Sequence, residues 1–225
     1  MRSHGKEIGI GRRRLLGALL LAGLSGAVHA AAPSTARPAA SRRILVLGDS
    51  LSAEFGLPRG TGWVPALSRR LRERGSDYSV SNASISGDTT SGGRARLPAL
   101  LNREKPALVI LELGGNDALR GLPLDQTRAN LAAMIEASRR AGARVLLVGM
   151  QIPPNYGPRY ANDFSALYPS LAGQYGIKLV PFLLEGMADD MRMFQADRIH
   201  PTVAAQPRLL DNVWTVLAPM LDVRP

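Results

Sequence analysis

The segment Arg42-Arg43-Ile44-Leu45-Val46-Leu47-Gly48-Asp49-Ser50-Leu51-Ser52 is the point from which the architecture of this chain can be predicted. Residues 44–47 form a short, continuous apolar run between two arginines and a glycine, which is typical of a buried strand. A strand that is apolar on both faces favours a parallel sheet covered by helices on both sides. Polar residues follow directly, so Asp49 and Ser50 are expected at the carboxyl end of this strand.

Further apolar runs alternate with longer amphipathic stretches along the rest of the chain. Besides 44–47, strands are expected over 78–82, 107–113, 144–150 and 177–181. Helices, some ended by Gly75 and Gly142, are expected over 63–74, 92–103, 124–141, 162–175 and 204–221. This alternation predicts one α/β domain over residues 42–225, a three-layer α/β/α sandwich around a parallel sheet. In such sheets ligands bind beyond the carboxyl ends of the strands, where the strand order reverses.

The first 41 residues differ in composition from the predicted domain. A basic run ending at Arg14, an apolar stretch over 15–24 and a small-residue pattern ending at Ala30 predict a signal peptide over residues 1–30. The apolar stretch is shorter than the roughly 20 residues that span a bilayer, so cleavage is expected rather than a stable membrane anchor. Residues 31–41, rich in Ala, Pro, Ser and Thr, are expected to form a flexible leader. The chain is therefore predicted to be exported, to the periplasm or outside the cell, by the Sec or the twin-arginine route.

Composition excludes several classes of site. The chain has no cysteine, so it has no disulfide, no thiolate metal site and no cysteine nucleophile. Residues 1–30 account for +4 of the formal net charge of +10, which leaves a moderately basic domain. Its Lys and Arg residues are scattered with few aromatic residues between them, which argues against nucleic-acid binding. His4 and His29 fall in the predicted signal peptide, so a histidine-rich metal site is excluded, although a carboxylate-only site stays open.

Polar segments containing glycine follow the first three predicted strands. Ser50 follows the first strand, Gly87 lies in the segment after the second, and Asn116 follows the third. Each has an ordinary structural interpretation, because Ser is a favoured helix cap and Gly, Asn and Asp are favoured in turns. The carboxyl ends of parallel strands share one edge of a sheet, however, so these segments are expected to converge there.

His200 is the only histidine outside the predicted signal peptide, and Asp197 lies three residues before it. A serine hydroxyl is a poor nucleophile near neutral pH and needs a neighbouring base to take its proton. An imidazole can accept that proton and return it to the leaving group, while a carboxylate fixes the tautomer of the imidazole. These roles favour Ser50 as nucleophile, His200 as base and Asp197 as its partner. The oxyanion donors would be the backbone N–H groups of Ser50 and Gly87 and the side-chain amide of Asn116.

Together these segments resemble the four sequence blocks of the SGNH hydrolases, also called the GDSL family. The blocks are Gly48-Asp49-Ser50-Leu51-Ser52, Gly87 within Ser84-Ile85-Ser86-Gly87-Asp88-Thr89, Gly114-Gly115-Asn116-Asp117, and Asp197 to His200. The resemblance covers about residues 44–221, and the segments beside the blocks are similar to bacterial thioesterase and lysophospholipase members. It implies a flavodoxin-like five-stranded sheet, a Ser50–His200–Asp197 triad, oxyanion donors at Gly87 and Asn116, and no cofactor or metal.

The chain departs from the family pattern at three places. Arg198 stands where relatives often have Gly, and Thr202 stands where they often have Asn. Residues 55–62, expected at the entrance of the site, also differ from the thioesterase members. The triad assignment is unaffected, but these departures bear on the rim of the site and on substrate preference.

The resemblance implies a serine esterase or thioesterase that acts on small-molecule acyl esters such as acyl-CoA thioesters, lysophospholipids and aryl esters. Its acyl pocket is expected among residues 119–124, 152–156 and 182–193. Two alternatives stay open: a carbohydrate O-acetylesterase of the same family, and a non-catalytic protein that only holds an acyl ligand. No nucleic-acid partner is expected, and a monomer is expected.

Overall fold

A computed structural model describes residues 42–221, so the predicted signal peptide and leader lie outside the described residues. The strands are β1 (Arg42–Gly48), β2 (Tyr78–Asn82), β3 (Leu108–Glu112), β4 (Arg144–Val148) and β5 (Lys178–Val180). The helices are α1 (Trp63–Glu73), α2 (Thr90–Glu104), α3 (Gly115–Leu119), α4 (Leu124–Arg140), α5 (Pro158–Tyr175) and α6 (Gln206–Met220). Within this range no helix combines the length and apolarity that crossing a membrane requires.

The five strands form one parallel sheet in the order β2-β1-β3-β4-β5. The predicted three-layer α/β/α fold with a flavodoxin-like sheet is confirmed. The chain leaves β1 toward β2 on one side and returns to β3 on the other, so the strand order reverses between β1 and β3. Gly48 at the end of β1 lies opposite Glu112 at the end of β3. The expected ligand edge is therefore the carboxyl end of these two strands.

Alternation along β1 divides the core into two layers. Ile44 and Val46 pack on one face of the sheet with α1 and α6, whereas Leu45 and Leu47 pack on the other face with α2, α4 and α5. All four side chains are completely buried. Apolar burial on both faces fixes the sheet as a rigid platform, because a register shift of one residue would exchange the two sets of side chains.

Helix boundaries follow the local chemistry of their ends. Gly75 and Gly142, which directly follow the C-caps of α1 and α4, have φ of +63° and +82°. The left-handed backbone there suits glycine, as the sequence predicts. The helix predicted over 162–175 instead begins at Pro158, where a missing N–H costs no helical hydrogen bond. The short helix α3 is not predicted, because five residues are too few to show a helical period.

A close backbone approach at Gly149 gives a test of the packing between β4 and the segment after β5. A Cβ atom at Gly149 would lie 2.2 Å from the backbone oxygen of Pro181. We expect Gly149→Ala to lower the free energy of unfolding by about 1–3 kcal/mol, because the backbone must shift. Gly173 in α5 has nothing within 4 Å of a built Cβ, so Gly173→Ala should instead stabilise the fold by about 0.5–1 kcal/mol. Urea denaturation measures both, and equal effects of the two substitutions would contradict the packing described.

Candidate active site

A continuous line of hydrogen bonds joins Ser50, His200 and Asp197 at the carboxyl edge of the sheet. Nε2 of His200 lies 2.8 Å from Oγ of Ser50, and Nδ1 lies 2.7 Å from Oδ2 of Asp197. An ionised carboxylate can only accept, so Nδ1 carries the hydrogen and Nε2 is left to accept from the serine hydroxyl. The structure therefore brings together three residues that are up to 150 positions apart in the chain, in the geometry that a base-activated nucleophile requires.

Ser50 lies in the turn that follows β1 rather than at a helix start. Oδ1 of Asp49 accepts from the Leu51 N–H at 3.0 Å, and the Asp49 carbonyl accepts from the N–H groups of Ser52 and Ala53. The next helix, α1, begins at Trp63, so the helix-cap interpretation of Ser50 does not hold. These bonds fix the turn on both sides of Ser50 and direct its hydroxyl toward His200.

The three-residue spacing of Asp197 and His200 closes a compact turn around one carboxylate. Oδ1 of Asp197 accepts from the N–H groups of Ile199 at 2.9 Å and His200 at 3.0 Å, while Oδ2 accepts from the imidazole. Although burial opposes it, these hydrogen bonds lower the pKa of Asp197 to about 2. The carboxylate is therefore ionised wherever the imidazole can work as a base, and it holds the ring in one orientation.

Phe55 covers one face of the His200 ring, a contact that the sequence did not indicate. The two ring centroids lie 4.3 Å apart with the planes inclined by 37°. Gln195 connects Phe55 to the turn over residues 195–201 that carries Asp197 and His200, called the catalytic turn below. Its Nε2 donates to the Phe55 carbonyl at 2.9 Å and to the Pro201 carbonyl at 3.1 Å. Phe55 is still 46% exposed, so it forms part of the wall of the site as well as packing on the imidazole.

The three expected oxyanion donors lie on neighbouring segments of the same edge. Among the described residues, no acceptor takes a hydrogen bond from the backbone N–H of Ser50 or Gly87. Gly87 has φ of +78°, and its carbonyl accepts from Arg120 at 2.9 Å, which anchors the backbone directly after the Gly87 N–H. Two unengaged N–H groups beside the nucleophile suit the stabilisation of an oxyanion.

Asn116 at the start of α3 is held from several directions. Its Nδ2 donates to Oδ2 of Asp49 at 3.1 Å and to the Asp88 carbonyl at 3.0 Å. The next residue, Asp117, is buried and accepts from the backbone N–H and the hydroxyl of Thr90, which ties α3 to the start of α2. The position of Asn116 is thus fixed by segments whose sequence alone is equally typical of ordinary turns.

Two buried acids contact the turn that carries Ser50. Asp49 and Glu112 are each 3% exposed, and Oε2 of Glu112 accepts from the Ser52 hydroxyl at 2.7 Å and the Asp49 N–H at 3.3 Å. Burial raises the pKa of Glu112 well above its usual range, and the neighbouring Asp49 charge adds to this. Burial therefore favours the neutral form of Glu112. No group of three His, Asp or Glu side chains within residues 42–221 is arranged to hold a metal ion.

Part of the segment expected to line the acyl pocket is core. Leu183, Leu184 and Met187 are buried on the α1 and α6 side of the sheet. The large apolar side chains that are exposed between residues 42 and 221 instead share another property: each belongs to a segment that follows the carboxyl end of a strand. They are Phe55, Ile85, Leu122, Tyr156, Met191, Ile199 and Val203. The most exposed large apolar side chains of the described domain therefore belong to segments that begin at the edge of the sheet carrying Ser50.

Comparison with known proteins identifies the family. A sequence profile of the GDSL-like Lipase/Acylhydrolase family matches residues 46–207. The chain belongs to this family. It is 58% identical over 183 residues to Esterase TesA of Pseudomonas aeruginosa, an alignment that covers 81% of this chain and 91% of the relative. The expected membership of the GDSL family is confirmed, and with it the class of carboxylic ester hydrolase.

Two further comparisons agree with this membership. Thioesterase 1/protease 1/lysophospholipase L1 of Escherichia coli is 42% identical over 188 residues, which cover 84% of this chain and 89% of that protein. A crystal structure of TesA superposes with a TM-score of 0.78 at 58% identity and covers 80% of this chain and 100% of that chain. The family resemblance and the fold therefore rest on independent likenesses in sequence and in structure.

The catalytic turn contains one residue in an unfavourable conformation. Arg198, at the position where family members often have Gly, has φ of +59°, in the left-handed region. Its side chain makes no hydrogen bond or ion pair that the described residues show, so substitution removes no polar interaction of that kind. We expect Arg198→Gly to raise the free energy of unfolding by about 1 kcal/mol, because glycine adopts this conformation without a Cβ clash.

Arg198→Ala is the matched control, since alanine keeps the Cβ and should give no such gain. Urea denaturation of both variants at one pH measures the difference. If the glycine variant is no more stable than the alanine variant, the left-handed conformation at residue 198 is not strained.

Proposed function

We propose that this family member hydrolyses acyl esters through a covalent acyl-enzyme on Ser50. The observation that carries the proposal is the unbroken hydrogen-bonded line from Ser50 through His200 to Asp197, with distances of 2.8 and 2.7 Å. In this mechanism Ser50 Oγ attacks the acyl carbonyl carbon while its proton passes to Nε2 of His200. Asp197 keeps the imidazole in the accepting tautomer and stabilises the imidazolium that forms.

The negative charge that develops on the carbonyl oxygen is stabilised by three donors. These are the backbone N–H groups of Ser50 and Gly87 and the side-chain amide of Asn116. Collapse of the tetrahedral intermediate expels the alcohol or thiol, which takes its proton from the imidazolium. Water then attacks the acyl-enzyme by the same sequence, with His200 as base, and releases the acid and free Ser50.

The substrate class that we propose is an ester or thioester with an apolar acyl group, such as an acyl-CoA, a lysophospholipid or an aryl ester. The exposed apolar residues around the site support this choice, because burying such side chains against an acyl chain is favourable at about 0.8 kcal/mol per methylene. The printed names of its relatives, which include an esterase and a thioesterase and lysophospholipase, support the same class.

A carbohydrate O-acetylesterase is the second candidate, since it would use the same nucleophile, base and oxyanion donors. A sugar ester offers hydroxyl groups rather than an alkyl chain, and the exposed apolar rim suits it less. A non-catalytic acyl-binding protein would need neither the Ser50–His200 contact nor unengaged N–H groups at the oxyanion position. We further infer, from the composition of residues 1–30, that the enzyme works outside the cytoplasm and has no stable membrane anchor.

Removal of the nucleophile tests the mechanism. We expect Ser50→Ala to lower kcat for a nitrophenyl octanoate by at least about 10⁴-fold, because the variant lacks the hydroxyl to which the acyl group is transferred. Binding of the corresponding acid, measured by calorimetry, should change little. Ser86→Ala, in the loop before Gly87, is the control and should keep kcat within about threefold. Turnover that persists in Ser50→Ala would exclude the proposed acyl-enzyme.

Acyl-chain length distinguishes the two candidate substrates. For the proposed function, kcat/KM on nitrophenyl esters should rise from acetyl to octanoyl by up to about fourfold for each methylene that becomes buried. Leu122→Asp should flatten this rise, since Leu122 is an exposed apolar residue just beyond Asn116. A profile that is flat already in the unmodified enzyme would favour the sugar O-acetylesterase instead.

A further inference from the structure

The amide of Asn116 has no spare hydrogen to offer an oxyanion. A side-chain amide nitrogen carries two hydrogens, and both are engaged here. One hydrogen bond goes to Oδ2 of Asp49 at 3.1 Å, and the other goes to the backbone carbonyl of Asp88 at 3.0 Å. If Asn116 donates to the oxyanion, one of these two bonds must be given up during the reaction.

The two acceptors differ in what they lose. Asp49 is 3% exposed, and Asn116 is the only described donor to its Oδ2, so breaking that bond would leave a buried carboxylate oxygen without a partner. An unpaired buried charge is far more costly than an unpaired neutral carbonyl. The Asp88 residue is only partly buried, and its carbonyl belongs to the segment that also carries Gly87. The N–H directed at Asp88 is therefore the one that is cheaper to release, and it already points toward the Gly87 side of the site.

We propose that Asp49 is a positioning residue of the oxyanion hole: its carboxylate keeps one N–H of Asn116, while the other N–H moves from the Asp88 carbonyl to the oxyanion. This inference rests on the proposed function and deepens it. No covalent bond changes in this step, since a single hydrogen bond is exchanged between two acceptors. Asp49 itself does not touch the substrate and acts only through the amide.

Both acceptors are held in place independently of the amide. The backbone N–H of Asp49 donates to Oε2 of Glu112, and its Oδ1 accepts from Leu51. The side chain of Asp88 forms an ion pair with Arg96 at 2.7 Å, and Arg96 also donates to the Ala83 carbonyl. Asp49 and Asp88 therefore stay in place during the exchange. The hydrogen bond moves from the Asp88 carbonyl to the oxyanion by a rotation of the Asn116 side chain.

Ionisation of the buried Asp49 lowers the stability of the fold. We therefore infer that this carboxylate is kept for its contact with Asn116. Burial raises the pKa of Asp49 from 3.8 to about 6, although hydrogen bonds from Leu51 and Asn116 oppose the rise. The titratable groups that face it are Glu112 from β3, Asp88 from the segment after β2, His200 from the catalytic turn and Tyr168 from α5. Because the folded-state pKa is raised, the folded protein loses stability relative to the unfolded chain as the pH rises from about 4 through 6.

Asp49→Asn separates this role from a structural one. The variant keeps the shape of the side chain but presents an amide instead of a carboxylate to Asn116. We expect kcat for a nitrophenyl ester to fall by roughly 10- to 100-fold with KM changed less than about threefold, because the lost interaction matters in the transition state. The stability of the variant relative to the unmodified enzyme should rise as the pH rises from about 4 to 8, because only the unmodified enzyme must ionise a buried carboxylate over this range. A loss of stability at pH 8 together with a proportional loss of active protein would overturn the proposal.

Asp77→Asn is the matched control for the substitution itself. Asp77 precedes β2 and pairs with Arg42 at the opposite end of the sheet. Its removal should leave kcat within about twofold. A comparable loss of kcat in this control would show that the effect of Asp49→Asn is not specific to the oxyanion hole.

A double-mutant cycle with Asn116→Ala gives the decisive comparison. If Asp49 acts through the amide, Asp49→Asn should change kcat by less than about threefold once Asn116 is absent. Equal losses in the presence and absence of Asn116 would overturn the proposal while leaving the Ser50 mechanism intact, whereas failure of Ser50→Ala to stop turnover would overturn both.

A spectroscopic test in the unmodified enzyme avoids any variant that folds poorly. After a phosphonate ester has reacted with Ser50, one of the two side-chain amide protons of Asn116 should shift strongly in the proton–nitrogen spectrum and the other should keep its position. Equal shifts of both protons, or of neither, would contradict the exchange at a single N–H.

Discussion

The parallel register of β1 with β3 sets Gly48 opposite Glu112, and the chemistry at the sheet edge depends on this pairing. The two strand ends approach so closely that a Cβ on Gly48 would lie 2.6 Å from Oε2 of Glu112. The turn after β1 and the short helix after β3 therefore begin side by side. Ser50 is presented by the first of these segments and Asn116 by the second, with Asp49 in contact with both.

Apolar burial positions the sheet, and a small buried polar network positions the side chains of this site. The two apolar layers fix the sheet, because they occupy opposite faces of every central strand. The polar network formed by Asp49, Glu112, Asp117 and their partners then locates individual side chains to within hydrogen-bond distance. Buried carboxylates are weak contributors to stability. We infer that they are kept at this edge because they hold Ser50 and Asn116 in position rather than because they favour folding.

The features that the sequence predicts are those with a repeating or countable signal. The five strands are continuous aliphatic runs, and the long helices show an apolar period, so the α/β sandwich could be predicted. The assignment of His200 followed from counting, since no other imidazole lies outside residues 1–30. The parts that escaped prediction are contacts between distant positions without a shared pattern. Phe55 on the His200 ring and Asp49 on Asn116 are examples, and only the topology of the sheet brings those residues together.

Direct observation of an acyl-enzyme would show whether hydrolysis proceeds through a covalent intermediate on Ser50. A slowly hydrolysed aryl ester mixed with the enzyme and quenched in acid should add the mass of one acyl group to the intact chain. Peptide mapping should then locate that group on Ser50, and the adduct should decay when the ester is exhausted. An acyl group on another residue would contradict a covalent intermediate on Ser50. So would turnover that shows no adduct at any quench time although its rate-limiting step follows alcohol release.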